Sequence, residues 1–280
     1  MCVLSKKFAE WEKWYSEEGD SVCAQIREML IDAAVFNVIN ESRKYVKTDS
    51  EGNPRLNDMV HGFINRNFFK TQALSIRKLC ANDNVYSLRR LINDIKGNKV
   101  YLTRENILCA FDLPYDYENA INEGHYKNES KLIMKGAHSE NVHKNIDLLT
   151  ETNSTKRQPS DVIKDSVIER LTKRLDKCEP IVNYVNKVVA HTTNKRSLRI
   201  SLAKIHMAHC RIIRTAEFIG QRLLYKSSGQ TKLPAFAYDV FEHFEKPWAT
   251  EETVEKLEEF WDKYERHIER WTAMSVSALV

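Results

Sequence analysis

The segment NYVNKVVAHTTNKR, from Asn183 to Arg196, holds an imidazole, amides and an ammonium at helical spacing. At roughly 100° per residue, Lys187 and His191 stand one turn apart on one face, with Asn183 a turn before them. An imidazole can remove or donate a proton while a ribose 2′-hydroxyl attacks the neighbouring phosphate. A cation can stabilise the charge that develops, and an amide can orient the reacting groups. These residue types suit metal-independent cutting of RNA, with His191, Asn186 and Lys187 as the candidate catalytic residues. The plainer alternative is a helix-end histidine capping backbone carbonyls beside a solvated lysine. On a straight helix Asn186 lies well round from His191, so a bend near Ala190 is needed to bring them together.

A second set of residues follows directly. From Lys195 to Lys226 the chain carries eight basic side chains and one acidic one, Glu217. At helical spacing Arg196, Lys204, Arg211, Arg214 and Arg222 fall on one arc, roughly opposite an apolar stripe. Such a face can track a phosphate backbone; alternatively it is solvated, or meets the acidic stretch Glu251–Glu259. His209 sits within the apolar stripe and reads as a hydrogen-bonded core histidine. His206 and Cys210 are one turn apart, but no second pair completes four zinc ligands, so no metal is expected. Phosphate-binding glycine loops, dinucleotide fingerprints and nucleophile elbows are missing, and no cofactor is expected.

The elements that must position these residues read as helices. Gly and Pro are scarce, at 8 and 6 residues in 280, which favours long helices over many short strands. A first helix runs over about Leu4–Glu18 to Gly19. Asp20 or Ser21 then caps a second, with Val22, Ile26, Met29, Ala33 and Phe36 on one face. TDSEGNPRLND reads as a loop. Helix is expected from Asp58 to Cys80 and from Val85 to Ile95, and Thr103 caps a short one ending near Pro114.

Three striped helices are expected in the last part. The first uses Ile168, Leu171, Leu175, Cys178, Val182, Val185 and Val189, with Pro180 kinking or restarting it. The second uses Leu198, Leu202, Ile205, His209, Ile212, Ala216, Ile219 and Leu223. The third uses Val254, Leu257, Trp261, Tyr264, Ile268 and Trp271. The tryptophans, Trp11, Trp14 and Trp248 included, fit core-facing positions. The stretch Tyr115–Pro159 is polar and aperiodic, a long connection with one short helix around Ser139–Leu149. The expected fold is all-α, an antiparallel helical bundle, in three parts: residues 1–114, a polar connection or insertion over 115–160, and 161–280 with the histidine motif.

The net charge of +4 is too small to imply nucleic acid by itself. The charged N-terminus has no secretory pattern, no apolar run is long enough to span a bilayer, and the six cysteines form no C-x-x-C pair. A cytoplasmic protein with reduced thiols and no membrane partner is expected.

VNKVVAHTTNKR between two long amphipathic helices resembles the signature region of HEPN-domain proteins. LSIRKLCANDNVYSLRRLINDI, from Leu74 to Ile95, resembles the corresponding part of AbiU-like abortive-infection proteins, a branch of that superfamily. The resemblance implies an HEPN-like helical bundle that often forms homodimers. In active members it implies a metal-independent endoribonuclease of toxin–antitoxin or phage-defence systems, with RNA as substrate and an antitoxin or other protein as partner. His191 matches the family's histidine and Asn186 its polar position, but Val185 stands where the family's arginine is usual. Lys187 supplies charge without a guanidinium's fork; Arg77, Arg89 and Arg90 of the upstream stretch are the arginines that could replace it. The alternative expectation is a catalytically inactive helical module for dimerisation or protein-partner binding.

Overall fold

Six side chains of the type that favours helix starts each accept a backbone N–H from the residue three positions on. Ser21, Asn57, Ser87, Thr103, Asp116 and Ser201 do so at 2.9–3.3 Å, satisfying donors that a helix's first turn leaves open. In the computed structural model each begins a helix. The structure describes residues 3–17, 19–45, 50, 57–82, 86–189, 200–226, 229, 231–232, 256, 258–263 and 265–266. The elements are α1 (Val3–Glu12, continued by a π turn over Lys13–Glu17), α2 (Val22–Ser42), α3 (Asp58–Cys80), α4 (Leu88–Gly97), α5 (Arg104–Ala110), α6 (Tyr117–Lys127), α7 (Ser130–Thr150), α8 (Asp165–Asp176), α9 (Glu179–Tyr184, continued by a π turn over Val185–Val189) and α10 (Leu202–Arg222). The fold is all-α, a helical bundle, with one isolated bridge between Thr103 and Val162 and no strand among the described residues.

The apolar stripes meet in one core. Val22, Ile26, Met29, Ala33 and Phe36 of α2 are buried, as are Ile168, Leu171, Leu175, Cys178 and Val185 along α8–α9. On α10, Ile205, His209, Ile212, Ala216 and Ile219 are buried. α3 packs against α2, α9 and α10, and α10 also against α8. Pro180 restarts the helix, separating α8 from α9. Tyr15 donates to the Ala216 carbonyl at 3.1 Å, an approach possible because Gly220, one turn on, has no Cβ to meet the ring.

Where the sequence predicts a polar connection with one short helix, the structure has two helices. α7 extends well beyond Ser139–Leu149, and α6 precedes it. The inward face of α7 carries Gly136, Ser139, Val142, His143, Ile146, Leu149 and Thr150. Large apolar residues enter that face only from Val142 on, so apolar periodicity exposes the second half of the helix and not the first. The glycines let α6 and α7 close: a Cβ at 136 would lie 2.5 Å from Ile121 Cγ1, and one at 124 would lie 2.8 Å from Ile133 Cγ1.

A buried ionic node ties this hairpin to α5. Arg104, fully buried, donates to Asp147 and Asp161, each at 2.8 Å through Nη2, and to Thr152 at 3.0 Å. Arg157 adds a second guanidinium to Asp147 at 2.7 Å. His143 Nε2 lies 3.0 Å from the Tyr115 carbonyl and Nδ1 lies 3.1 Å from Arg104 Nη1. The carbonyl can only accept, so Nε2 carries the proton and Nδ1 accepts from arginine: the ring is neutral.

The chain divides into two compact units, Met1–Leu233 and Pro234–Val280. In the second, residues 256, 258–263 and 265–266 are helical, and Trp261 is 57% exposed. Within that unit it does not occupy the buried position its stripe predicts. Trp248, Trp271 and the rest of the stripe lie outside the described residues. Among the described residues no helix is long and apolar enough to cross a membrane.

Candidate nucleic-acid interface

α3 ends with Ile76, Leu79 and Cys80 turned into the core, which sets Arg77 at the rim of the α3–α9 contact. Opposite it, buried Val185 anchors the π turn that continues α9, and Asn186 follows half-buried. Arg77 Nε donates to Asn186 Oδ1 at 2.8 Å. This bond fixes the amide: its oxygen faces the guanidinium and its NH2 group points away. Arg77 Nη1 and Nη2 have no protein acceptor among the described residues.

The other two upstream arginines are used elsewhere. Arg89 pairs with Asp176 at 2.7 Å, and Arg90 lies over the Trp14 ring at 4.2 Å. Arg77 is therefore the upstream guanidinium that reaches the motif. The π turn over Val185–Val189 breaks α-helical periodicity, and the bend expected near Ala190 lies outside the described residues. Lys187 is exposed within it. His191 and Arg196 lie outside the described residues.

On α10 the basic face separates into two kinds of residue. Lys204 and Arg214 are exposed. Arg211 is half-buried and donates to the Lys177 carbonyl at 2.8 Å, and Arg222 donates to Asn145 of α7. The single acidic residue, Glu217, is occupied by Gln221 at 2.7 Å and by the Thr231 hydroxyl at 2.6 Å. It makes no ion pair with the arc among the described residues.

Between the α8–α9 junction and α10 lies a cleft of about 300 Å3 lined by Lys177, Pro180, Ile181, Lys204, Met207 and Arg211. Lys177 escapes a reading based on periodicity, because it lies at the break between α8 and α9. Behind the cleft the Cys80 thiol hydrogen-bonds the Cys178 sulfur. That contact lowers the Cys178 thiol from its usual range, with burial opposing and Arg211 assisting; the same contact and burial push Cys80 up.

His209 is buried as expected, but its Nε2 has no hydrogen-bond partner among the described residues. Burial, with nearby His206 adding to it, pushes its pKa down to about 4. The expectation of a hydrogen-bonded core histidine is corrected at that atom. A larger cleft of about 460 Å3 beside α5 has Glu105, Asp112 and Lys135 in its wall. Asp112 and Lys135 pair with each other, so this cleft has no net cationic wall.

Site geometry thus rests on the Arg77–Asn186 bond and on a basic arc whose members differ in freedom. The chain matches no family model, no curated protein and no solved structure.

Proposed function

We propose that this chain is an HEPN-like, AbiU-like RNA-binding protein that cuts RNA without a metal, and that Arg77 takes the part of the arginine absent at Val185. The supporting observation is the 2.8 Å bond from Arg77 Nε to Asn186 Oδ1, which places a guanidinium beside the motif's polar residue from a helix distant in sequence. In this reading His191 accepts the proton of the 2′-hydroxyl as that oxygen attacks phosphorus, and a protonated imidazole returns one to the departing 5′-oxygen. Arg77 and Lys187 stabilise the charge on the phosphate, and the fixed Asn186 amide orients it. The exposed Lys204 and Arg214 extend the phosphate-tracking surface along α10. The setting implied by the resemblance is phage defence or a toxin–antitoxin pair in the cytoplasm, as a homodimer.

The test compares purified wild type, His191→Ala and Arg77→Ala on RNA in chelator. Cleavage by wild type and its loss in both variants, with helicity by circular dichroism unchanged, supports the reading. Negligible cleavage by all three removes the enzyme and leaves binding to be judged by RNA retention.

A second reading, an inactive module for dimerisation or a protein partner, is favoured by the exposed apolar side chains of α2 and α3. Val35, Met59 and Phe63 are each more than half exposed.

A further inference from the structure

The cleft between the α8–α9 junction and α10 has two kinds of wall. Lys177, Lys204 and Arg211 supply three cations; Pro180, Ile181 and Met207 supply an apolar surface, with no acidic side chain among the lining residues. Arg211 is not a loose surface arginine. Its Nη1 is held by the Lys177 carbonyl at 2.8 Å. The fork is thus fixed at the inner end of the cleft before any ligand arrives. Lys204, whose side chain makes no ion pair among the described residues, and Lys177 stand exposed at its edge. Met207 is 53% exposed although it is large and apolar, a cost the fold does not repay by covering it.

Three cations lining one cleft exceed what one phosphodiester, with a single negative charge, neutralises. A phosphomonoester carries about −1.5 to −2 at neutral pH and three acceptor oxygens, and an arginine fork with two ammonium groups matches that demand. An apolar wall in the same cleft suits a base or sugar face, and about 300 Å3 is at the small end of the range for ligand pockets.

We propose that this cleft binds a nucleotide carrying a terminal phosphomonoester. Arg211, Lys204 and Lys177 hold the phosphate, and Met207, Pro180 and Ile181 support the nucleoside. The source is the phosphorylated end of an RNA or a free nucleoside monophosphate. The proposal rests on the RNA reading and narrows it to recognition of an RNA end.

The experiment measures binding of a fluorescent ten-nucleotide oligouridine bearing a 5′-phosphate, a 3′-phosphate or hydroxyls at both ends, using the full chain with His191→Ala so that nothing is cut. One phosphorylated form is expected to bind roughly tenfold more tightly than the hydroxyl form, the scale of one charge-assisted contact. Lys204→Glu should abolish that difference, and Lys131→Glu, exposed on α7 and outside the cleft, should leave it intact. Lys204 is exposed, so the variant tests charge without breaking a packed contact. Calorimetry with uridine monophosphate, uridine and inorganic phosphate separates the sources. Measurable uridine monophosphate binding, weakened by Met207→Ala and tighter than that of inorganic phosphate, assigns the free nucleotide as a ligand too. Phosphate binding as tightly as uridine monophosphate overturns the nucleotide assignment. Equal affinity for all three oligonucleotide forms overturns the cleft proposal and leaves RNA binding standing; failure to bind any of them overturns both.

Discussion

Arg77 and Asn186, 109 positions apart in sequence, are joined by a 2.8 Å bond from guanidinium Nε to amide Oδ1. The bond fixes two things at once. It holds the last turn of α3 against the π turn after α9, and it aims the Asn186 NH2 group away from that contact. A double-mutant cycle of Arg77→Ala and Asn186→Ala, followed by urea unfolding, should show a coupling energy of about 0.5–3 kcal/mol, as residues in direct contact do. Additive losses would mean that the bond does not form in solution. In RNA cleavage Arg77→Lys should cost roughly a hundredfold in turnover, because an ammonium keeps the charge and loses the fork.

The basic arc should not respond uniformly. Arg214 is exposed, whereas Arg222 is committed to Asn145. Arg214→Gln should weaken RNA binding and reduce the magnitude of the slope of log affinity against log salt by about one. Arg222→Gln should leave that slope unchanged and lower unfolding stability. Equal slope changes for both variants would place Arg222 at the phosphates after all.

Much of the frame was legible because its signals are local. Ser21 and Thr103 cap helices through bonds that span three residues, and the α2 and α10 stripes repeat within one helix; Ser87 starts α4 at Leu88, three residues after the Val85 that periodicity suggests. The second half of α7 was legible, where Val142, Ile146 and Leu149 are buried, but its first half, where Gly136 is the buried residue, and all of α6, where Ala120 and Gly124 are, carry no large apolar residue on the inward face. The Arg104 node was hidden for another reason: its carboxylates, Asp147 and Asp161, come from elements whose approach no local pattern specifies. The motif itself divides the same way. Asn186 and Lys187 were visible by spacing; that Arg77, and not Arg89 or Arg90, reaches Asn186 depends on how α3 is rotated against α9.

Arg104, fully buried, holds two largely buried carboxylates. Arg104→Met removes the cation and leaves Asp161 without it, while Asp147 keeps Arg157. The loss should be about 3–5 kcal/mol, the scale for breaking a buried ion pair from one side. Arg104→Met with Asp161→Leu should recover part of it. Chemical denaturation of both variants checks the order; an equal or larger loss in the double variant would show that the carboxylate was not the liability.

Glycine substitutions should have opposite signs at different sites. A Cβ at Gly136 would press on Ile121, and one at Gly220 on the Tyr15 ring, whereas Gly97 at the end of α4 faces open space. Gly136→Ala and Gly220→Ala should each destabilise by about 1–3 kcal/mol through overpacking. Gly97→Ala should stabilise by up to about 1 kcal/mol through helix propensity. Midpoints of thermal unfolding measure all three.

Two buried histidines set the response to acid. Burial lowers the His143 pKa first of all; the Tyr115 carbonyl opposes this and Arg104 reinforces it. His209 is lowered to about 4, again chiefly by burial. A histidine whose folded pKa lies below its unfolded value takes up its proton more readily when unfolded. Stability therefore falls as pH drops below the unfolded value of about 6.5, and for His209 the fall continues until pH reaches about 4. For His209 alone the loss is on the order of 3 kcal/mol by the linkage relation. At His143 the added proton would sit on Nδ1, facing the Arg104 N–H it now accepts, so protonation also opens the ionic node. Asp147 adds to the loss at lower pH: burial raises its pKa, but the hydrogen bonds from Arg157 and Arg104 outweigh that and hold it low. Its stabilisation is present above about pH 4 and disappears as pH falls through the folded value. Urea unfolding from pH 7.5 to 4 should show stability declining steadily with acid. His209→Leu, which cannot titrate and fills an apolar site, should flatten the decline between about pH 6.5 and 4 by close to one proton. A slope identical to wild type would mean that His209 titrates normally in the folded protein.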